Sequence, residues 1–167
     1  MNTKFDVVIV KNLSWWAFLS PLIMWVENVP GSHCAIIQYD ELETWVYEST
    51  WPHGKRVRLE EFLIGYKIVW RKSFVLDNIN SQVSEWLLDN LADYSELELF
   101  TNGISFLNKW IKQKISIYPV NGRRSSVCSE YVGQFMVKWL GFRPNEDLDY
   151  FTVGDVICAA KHLKEIN

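Results

Sequence analysis

The chain has 167 residues, 49% of them hydrophobic, which is ample for a single core, and residues 1–167 read as one domain without a linker. The formal net charge is -3, and the nearest thing to a basic block is the small group Lys55, Arg56 and Arg58, which excludes nucleic acid as the main partner because phosphate binding needs clustered Lys and Arg. Three cysteines, Cys34, Cys128 and Cys158, are too few and too scattered for a disulfide framework.

The opening Met1-Asn2-Thr3-Lys4-Phe5-Asp6 lacks the basic stretch and apolar run of a signal peptide, so a cytoplasmic product as synthesised is expected, with later release or carriage in a larger assembly left open. Asp6 to Val10 is a short β-branched run that predicts a strand. An apolar helix is expected from about Ala17 to Val29, ended by Pro30-Gly31. The stretch Trp15 to Val26 is broken by Ser20-Pro21 and falls short of the roughly 20 residues that cross a bilayer, so no transmembrane helix is expected. Its tryptophans Trp15, Trp16 and Trp25 suit core packing first and a cleft wall or interfacial surface second.

His33 to Tyr39, the polar turn Asp40-Glu41-Leu42-Glu43, and Thr44 to Ser49 form an expected β-hairpin. After the Pro52-Gly54 turn, a strand near Arg56 to Leu59, a helical turn near Glu60 to Ile64 and a strand from Lys67 to Lys72 follow. Helical spacing of Val83, Trp86, Leu87 and Leu91 predicts a helix over Ile79 to Ala92, and a second helix is expected from Ile104 to Gln113. Tyr118 to Arg124 reads as a loop leading into the caps Ser125-Ser126 and a helix from about Val127, whose apolar face is Tyr131, Val132, Phe135, Met136 and Trp139 and whose end is Gly141. Thr152-Val153-Gly154-Asp155 resembles a capping box before a last helix to about Leu163. Strands early and helices late give an α+β fold, with a small antiparallel sheet or barrel packed against helices.

Cys128 falls in the first turn of its predicted helix, where unpaired amides and the macrodipole favour an anion, and a thiolate is the reactive form of cysteine. Two readings stand side by side for it: an activated nucleophile, or a small buried apolar residue. His33 gains weight from the hairpin. If Tyr39 pairs with Thr44, His33 falls opposite Thr50 and diagonal to Glu48, and these three share a face, while Cys34, Gln38 and Tyr47 point the other way. Glu48 can then orient the imidazole, the third-group role in nucleophile-and-base sites. His53 reads as a solvated turn residue, and His162, Cys158 and Cys34 have no zinc-ligand spacing. A phosphate-cradling glycine loop and a serine nucleophile elbow are also missing from the sequence, so no metal or cofactor is expected.

The order Gly31-Ser32-His33-Cys34-Ala35-Ile36-Ile37, then Val46-Tyr47-Glu48-Ser49, then Cys128-Ser129-Glu130-Tyr131-Val132 resembles the circularly permuted NlpC-type papain-like superfamily, the YiiX/LRAT-like enzymes. Thr152 to Asp155 is similar to that family's "T-P-x-D-L" element, with Val153 in place of Pro, and the first strand lacks the family's "G-D-h-h" opening. The resemblance implies a papain-like fold with the nucleophile at a helix N-terminus. It also implies a cysteine hydrolase with Cys128 as nucleophile, His33 as base and Glu48 as orienting group, acting on an amide bond through a thioacyl-enzyme. Cell-wall peptide is the leading substrate class. A lipid amidase, thioesterase or acyltransferase is the alternative enzyme, and a catalytically retired binding module, for instance of a viral particle, is the alternative from another class.

Overall fold

In Val7-Val8-Ile9-Val10 both side-chain directions are apolar, so this strand is stable only where layers cover it on both faces. The computed structural model, which describes residues 2–13, 21, 24–25, 28–50, 53–77, 80–91, 128–144, 148 and 151–163, puts this run in that position. Strand β1 (Asn2–Asn12) pairs antiparallel with β2 (His33–Tyr39) on one side and with β5 (Tyr66–Asp77) on the other. Strand β3 (Thr44–Glu48) continues from β2, and β4 (Lys55–Arg58) closes the order β4-β3-β2-β1-β5. Every pairing is antiparallel, so the protein is α+β with a five-stranded antiparallel sheet.

Alternation along the strands divides the core in two. Phe5, Val7, Ile9, Cys34, Ile36, Tyr47, Phe74 and Leu76 face three helices: α2 (Asn80–Asp89), α3 (Cys128–Leu140) and α4 (Val153–His162). Val8, Val10, Ala35, Ile37 and Val46 face Phe62 of the short helix α1 (Leu59–Gly65). Buried polar contacts fix the larger layer in place. Tyr131 of α3 donates to Leu87 O of α2 at 2.9 Å, while Tyr47 donates to Gln38 Oε1 at 2.9 Å and Gln38 Nε2 to Ser84 Oγ at 2.7 Å. Helix α4 starts on the expected capping box: Asp155 N donates to Thr152 Oγ1 at 3.2 Å and Thr152 N to Asp155 Oδ2 at 2.9 Å. Gly141, at φ +68°, ends α3 in the left-handed conformation that glycine adopts without strain.

The hairpin forms with Tyr39 opposite Thr44, the expected register, and Asp40 N closes its loop on Glu43 O at 3.0 Å. Strands β1 and β5 are longer than the sequence expectation, because β5 pairs along the whole of β1 and the ladder hydrogen bonds continue to both ends. That ladder contains one β-bulge. Ile9 pairs with Trp70 but Val10 with Ile68, so Val69 is the extra residue, and Val69 and Trp70, though adjacent, both pack on the three-helix side. The bulge reverses the alternation, and Ile68 and Tyr66 therefore turn to the α1 side.

Within the expected helix over Ala17 to Val29 the described residues are 21, 24–25 and 28–29. The backbone is helical at 21 and 24–25, but Asn28, at φ +52°, is left-handed and Val29 is not helical, so the helical backbone does not reach Val29. The expected helix Ile104 to Gln113, the loop Tyr118 to Arg124 and the caps Ser125-Ser126 lie outside the described residues. Among the described residues no helix is long and apolar enough to cross a membrane.

Gly31 precedes β2 where the chain must press against β1. A Cβ there would stand 2.5 Å from Val10 O and 2.8 Å from Ile9 Cγ2, whereas one on Gly65 would meet nothing within 4 Å. Gly31→Ala is expected to cost about 1–3 kcal/mol, the usual price of overpacking, and Gly65→Ala to be neutral or stabilising by up to about 1 kcal/mol. Urea midpoints of the two variants against wild type check this, and a Gly31→Ala midpoint at the wild-type value counts against the close packing.

Candidate active site

Three constraints bring His33 to its position. Gly31 allows the close approach to β1, Ser32 N donates to Val10 O at 3.1 Å, and Val10 pairs with His33 as the first residue of β2. The β2–β3 ladder runs from Tyr39–Thr44 to Ile36–Tyr47, and just beyond it Glu48 and His33 share the α1 side of the sheet. His33 Nε2 lies 2.8 Å from Glu48 Oε2. On the far side of the carboxylate, Lys55, the β4 partner of Glu48, brings Nζ to 3.3 Å from Oε1, an ion-pair contact without hydrogen-bond alignment. Glu48 is fully buried and the Lys55 side chain is half exposed.

Cys128 comes from the opposite layer as the first residue of α3, buried beside Cys34 in the three-helix core. Its thiol interacts with His33 and with Cys34, and both contacts act on its ionisation. Glu48 engages Nε2 of His33, which leaves Nδ1 outside that contact. The sequence reading, that Cys34 points away from His33 and Glu48, holds by alternation, and the face it points to is the one that carries Cys128. Cys34 was missed as a site residue because strand alternation does not tell which helix will cover a face.

The electrostatics follow from these contacts. The hydrogen bond from Cys34 holds the Cys128 thiol well below the ordinary thiol range; burial opposes this, and the charge and hydrogen bond of His33 add to it. Burial pulls the His33 imidazole down, but the negative charge on Cys128 and the hydrogen bonds to Cys128 and Glu48 outweigh it and push His33 up to about 10. Burial likewise raises Glu48, and the His33 and Lys55 contacts more than reverse that, leaving it below its usual value. These directions favour the charged forms of Cys128, His33 and Glu48, which alternate in sign along one line of contacts.

Tyr66 is the second residue that sequence reasoning missed. Its ring stacks on His33 with centroids 5.3 Å apart and planes 23° apart, and on Phe62 at 4.6 Å. Burial first, then the Glu48 charge, push its hydroxyl up to about 12. The bulge at Val69 is what turns it to this face, and nothing in the local sequence marks a bulge there. His53 and His162 are exposed, as is Cys158. Among the described residues no three His, Cys, Asp or Glu side chains cluster in a way that could hold a metal ion.

In comparisons with known proteins, no family model matches the chain and no curated protein is detectably similar to it in sequence.

The signs of the shifts give a pH profile. The thiolate–imidazolium pair exists above the depressed pKa of Cys128 and below about 10, the raised pKa of His33. Iodoacetamide alkylation of Cys128 is therefore expected to reach its plateau at a lower pH than that of exposed Cys158 and to hold it up to about pH 10, read side by side in the same digest. Glu48→Gln removes the charge behind the imidazolium, so it lowers the His33 pKa and raises that of Cys128, and Cys34→Ala raises the latter directly. Both variants are expected to move the acid limb of the Cys128 profile to higher pH, read by peptide mapping of folded protein.

Proposed function

We propose that the protein is a cysteine hydrolase or acyltransferase of the circularly permuted NlpC-type papain-like class, with Cys128 as nucleophile, His33 as acid and base, and Glu48 as the orienting carboxylate. One observation carries the reading: a single imidazole, held by a buried carboxylate at 2.8 Å, interacts with the thiol of a cysteine at the start of a helix. The order of these residues along the chain and the motifs around them, which resemble that family, support it independently.

In this mechanism the Cys128 thiolate attacks the substrate carbonyl carbon. The developing oxyanion is met by the Cys128 backbone amide, one of the first-turn amides that have no acceptor within the helix. His33 Nδ1–H protonates the leaving amine or alkoxide as the tetrahedral intermediate collapses to a thioester. Water or another acceptor then attacks the thioester, His33 Nδ1 takes its proton, and Cys128 leaves as thiolate. Throughout, Glu48 keeps Nε2–H engaged and so keeps Nδ1 as the working nitrogen, and every step is carried by the chain's own groups. The substrate bond is an amide, and cell-wall peptide is the first class to test.

With cell-wall peptides and activated small amides as substrates, intact-protein mass spectrometry is expected to trap a thioester on Cys128. Cys128→Ala is expected to abolish the adduct and lower turnover by about a thousandfold or more. Turnover that survives Cys128→Ala would sink the proposal.

Trp25, 74% exposed, favours a second reading in which the acyl group is a lipid's, since an exposed indole suits a surface that is apolar on one side and wet on the other. On that reading Trp25→Ala lowers turnover of long-chain esters at least about tenfold more than turnover of short amides. Equal losses on both would leave peptide amides as the better class.

A further inference from the structure

We propose that Tyr66 is a positioning residue of this site: its ring sets the plane of the His33 imidazole so that Nδ1 and Nε2 face Cys128 and Glu48 at the same time. The inference rests on the reading of Cys128, His33 and Glu48 given above, and deepens it.

The need for such a residue comes from the torsion itself. The χ2 angle of histidine is a terminal sp³–sp² torsion with broad wells, so the rotamer does not lock the ring plane. The hydrogen bond from Nε2 to Glu48 restrains one nitrogen and leaves the ring free to swing about that contact. A flat surface against the ring removes this freedom. Tyr66 supplies it, at 5.3 Å and 23°, within the range of aromatic pairs that attract one another. Phe62 stacks on Tyr66 at 4.6 Å and is itself buried at the centre of the α1 layer, so the three rings form one stack anchored in a core.

The backbone is shaped to make this stack. Tyr66 belongs to β5, which is separated from β2 by the whole width of β1, and it pairs with Asn12 while His33 pairs with Val10. By strict alternation from Trp70, Tyr66 would face the three-helix core, away from His33. The bulge at Val69 reverses that, and Ile68 and Tyr66 both arrive on the α1 side. Bulges interrupt a ladder and are found where a side chain has to be re-aimed. The ring face of Tyr66 also favours a cation, so the stack stabilises the imidazolium over the neutral ring. Among the described residues, the other titratable groups that act on His33 are Cys128 from α3 and Glu48 from β3, with Lys55 from β4 behind Glu48 and the Tyr66 hydroxyl itself interacting with Glu48.

The test measures His33 with and without the thiol. In the Cys128→Ala background, imidazole ¹⁵N–¹H correlation spectra follow the titration midpoint and tautomer of His33 with Tyr, Phe or Leu at position 66. The expected result is a midpoint lowered by about half a pH unit or more, with mixed tautomers, for Tyr66→Leu, and recovery of both for Tyr66→Phe, which keeps the ring. Tyr66→Met replaces the Leu variant should that one fail to fold, as judged by its urea midpoint. With Cys128 present, the acid limb of its alkylation profile is expected to move to higher pH in Tyr66→Leu and to return in Tyr66→Phe. A His33 midpoint and tautomer indifferent to the residue at 66, or a Phe variant that behaves like Leu, overturns the inference. Should Cys128 prove inert in wild type while His33 still responds to Tyr66→Leu, the proposed function fails and the positioning role of Tyr66 stands.

Discussion

Glu48 is fully buried, and a carboxylate taken out of water costs several kcal/mol unless a cation and hydrogen bonds stand against it. The protein meets this demand with His33 on one side and Lys55 on the other. The consequence runs outward from there. An ionised carboxylate adds to the charge and hydrogen bond of Cys128 in raising the imidazole, and a protonated imidazole in turn favours a thiolate at Cys128. The lowered thiol of Cys128 thus owes most to Cys34, and the charge on His33, itself held by the buried Glu48 one contact further on, adds to it.

That chain of contacts crosses the layers of the fold. His33, Glu48 and Tyr66 belong to the α1 side of the sheet, while Cys34 and Cys128 belong to the three-helix side. The two sets meet because His33 is the first residue of β2, at the end of the strand, where a side chain is not confined to one face by neighbours on both sides. The same end of β2 is pressed against β1 by Gly31, and the bulge in the β1–β5 ladder begins at the residue that pairs with His33. Irregularity in this otherwise regular sheet is concentrated around one residue, and that residue is the imidazole.

The rest of the molecule keeps this end of the sheet rigid. Strand β1 is covered on both faces, so no motion of β2 relative to it is cheap, and Tyr131, Gln38 and Tyr47 tie the helices to one another and to the sheet through hydrogen bonds that would be left unsatisfied by a slide. Helix α3 carries Cys128 at its first residue and Tyr131, Val132, Phe135 and Met136 in the core, so the position of the thiol is set by the packing of a whole helix face. The proposed nucleophilic role of Cys128 requires this, because productive geometry tolerates displacements well under about 1 Å.

The sequence by itself determined the elements whose signals are local. The β2–β3 hairpin and its register follow from a four-residue polar turn between alternating strands, which also put His33 and Glu48 on one face. The cap of α4, the glycine stop of α3 and the place of Cys128 in a first helical turn follow from residue types at fixed spacing. What only the tertiary structure decided is whatever depends on contacts between distant segments. The layer that meets Cys34, the length of β5, and the bulge that turns Tyr66 toward His33 are settled by how β1 is paired and covered. A period-2 pattern specifies which residues share a face but not what comes to lie on it, and a single extra residue in a ladder inverts the pattern without leaving a mark in the local sequence.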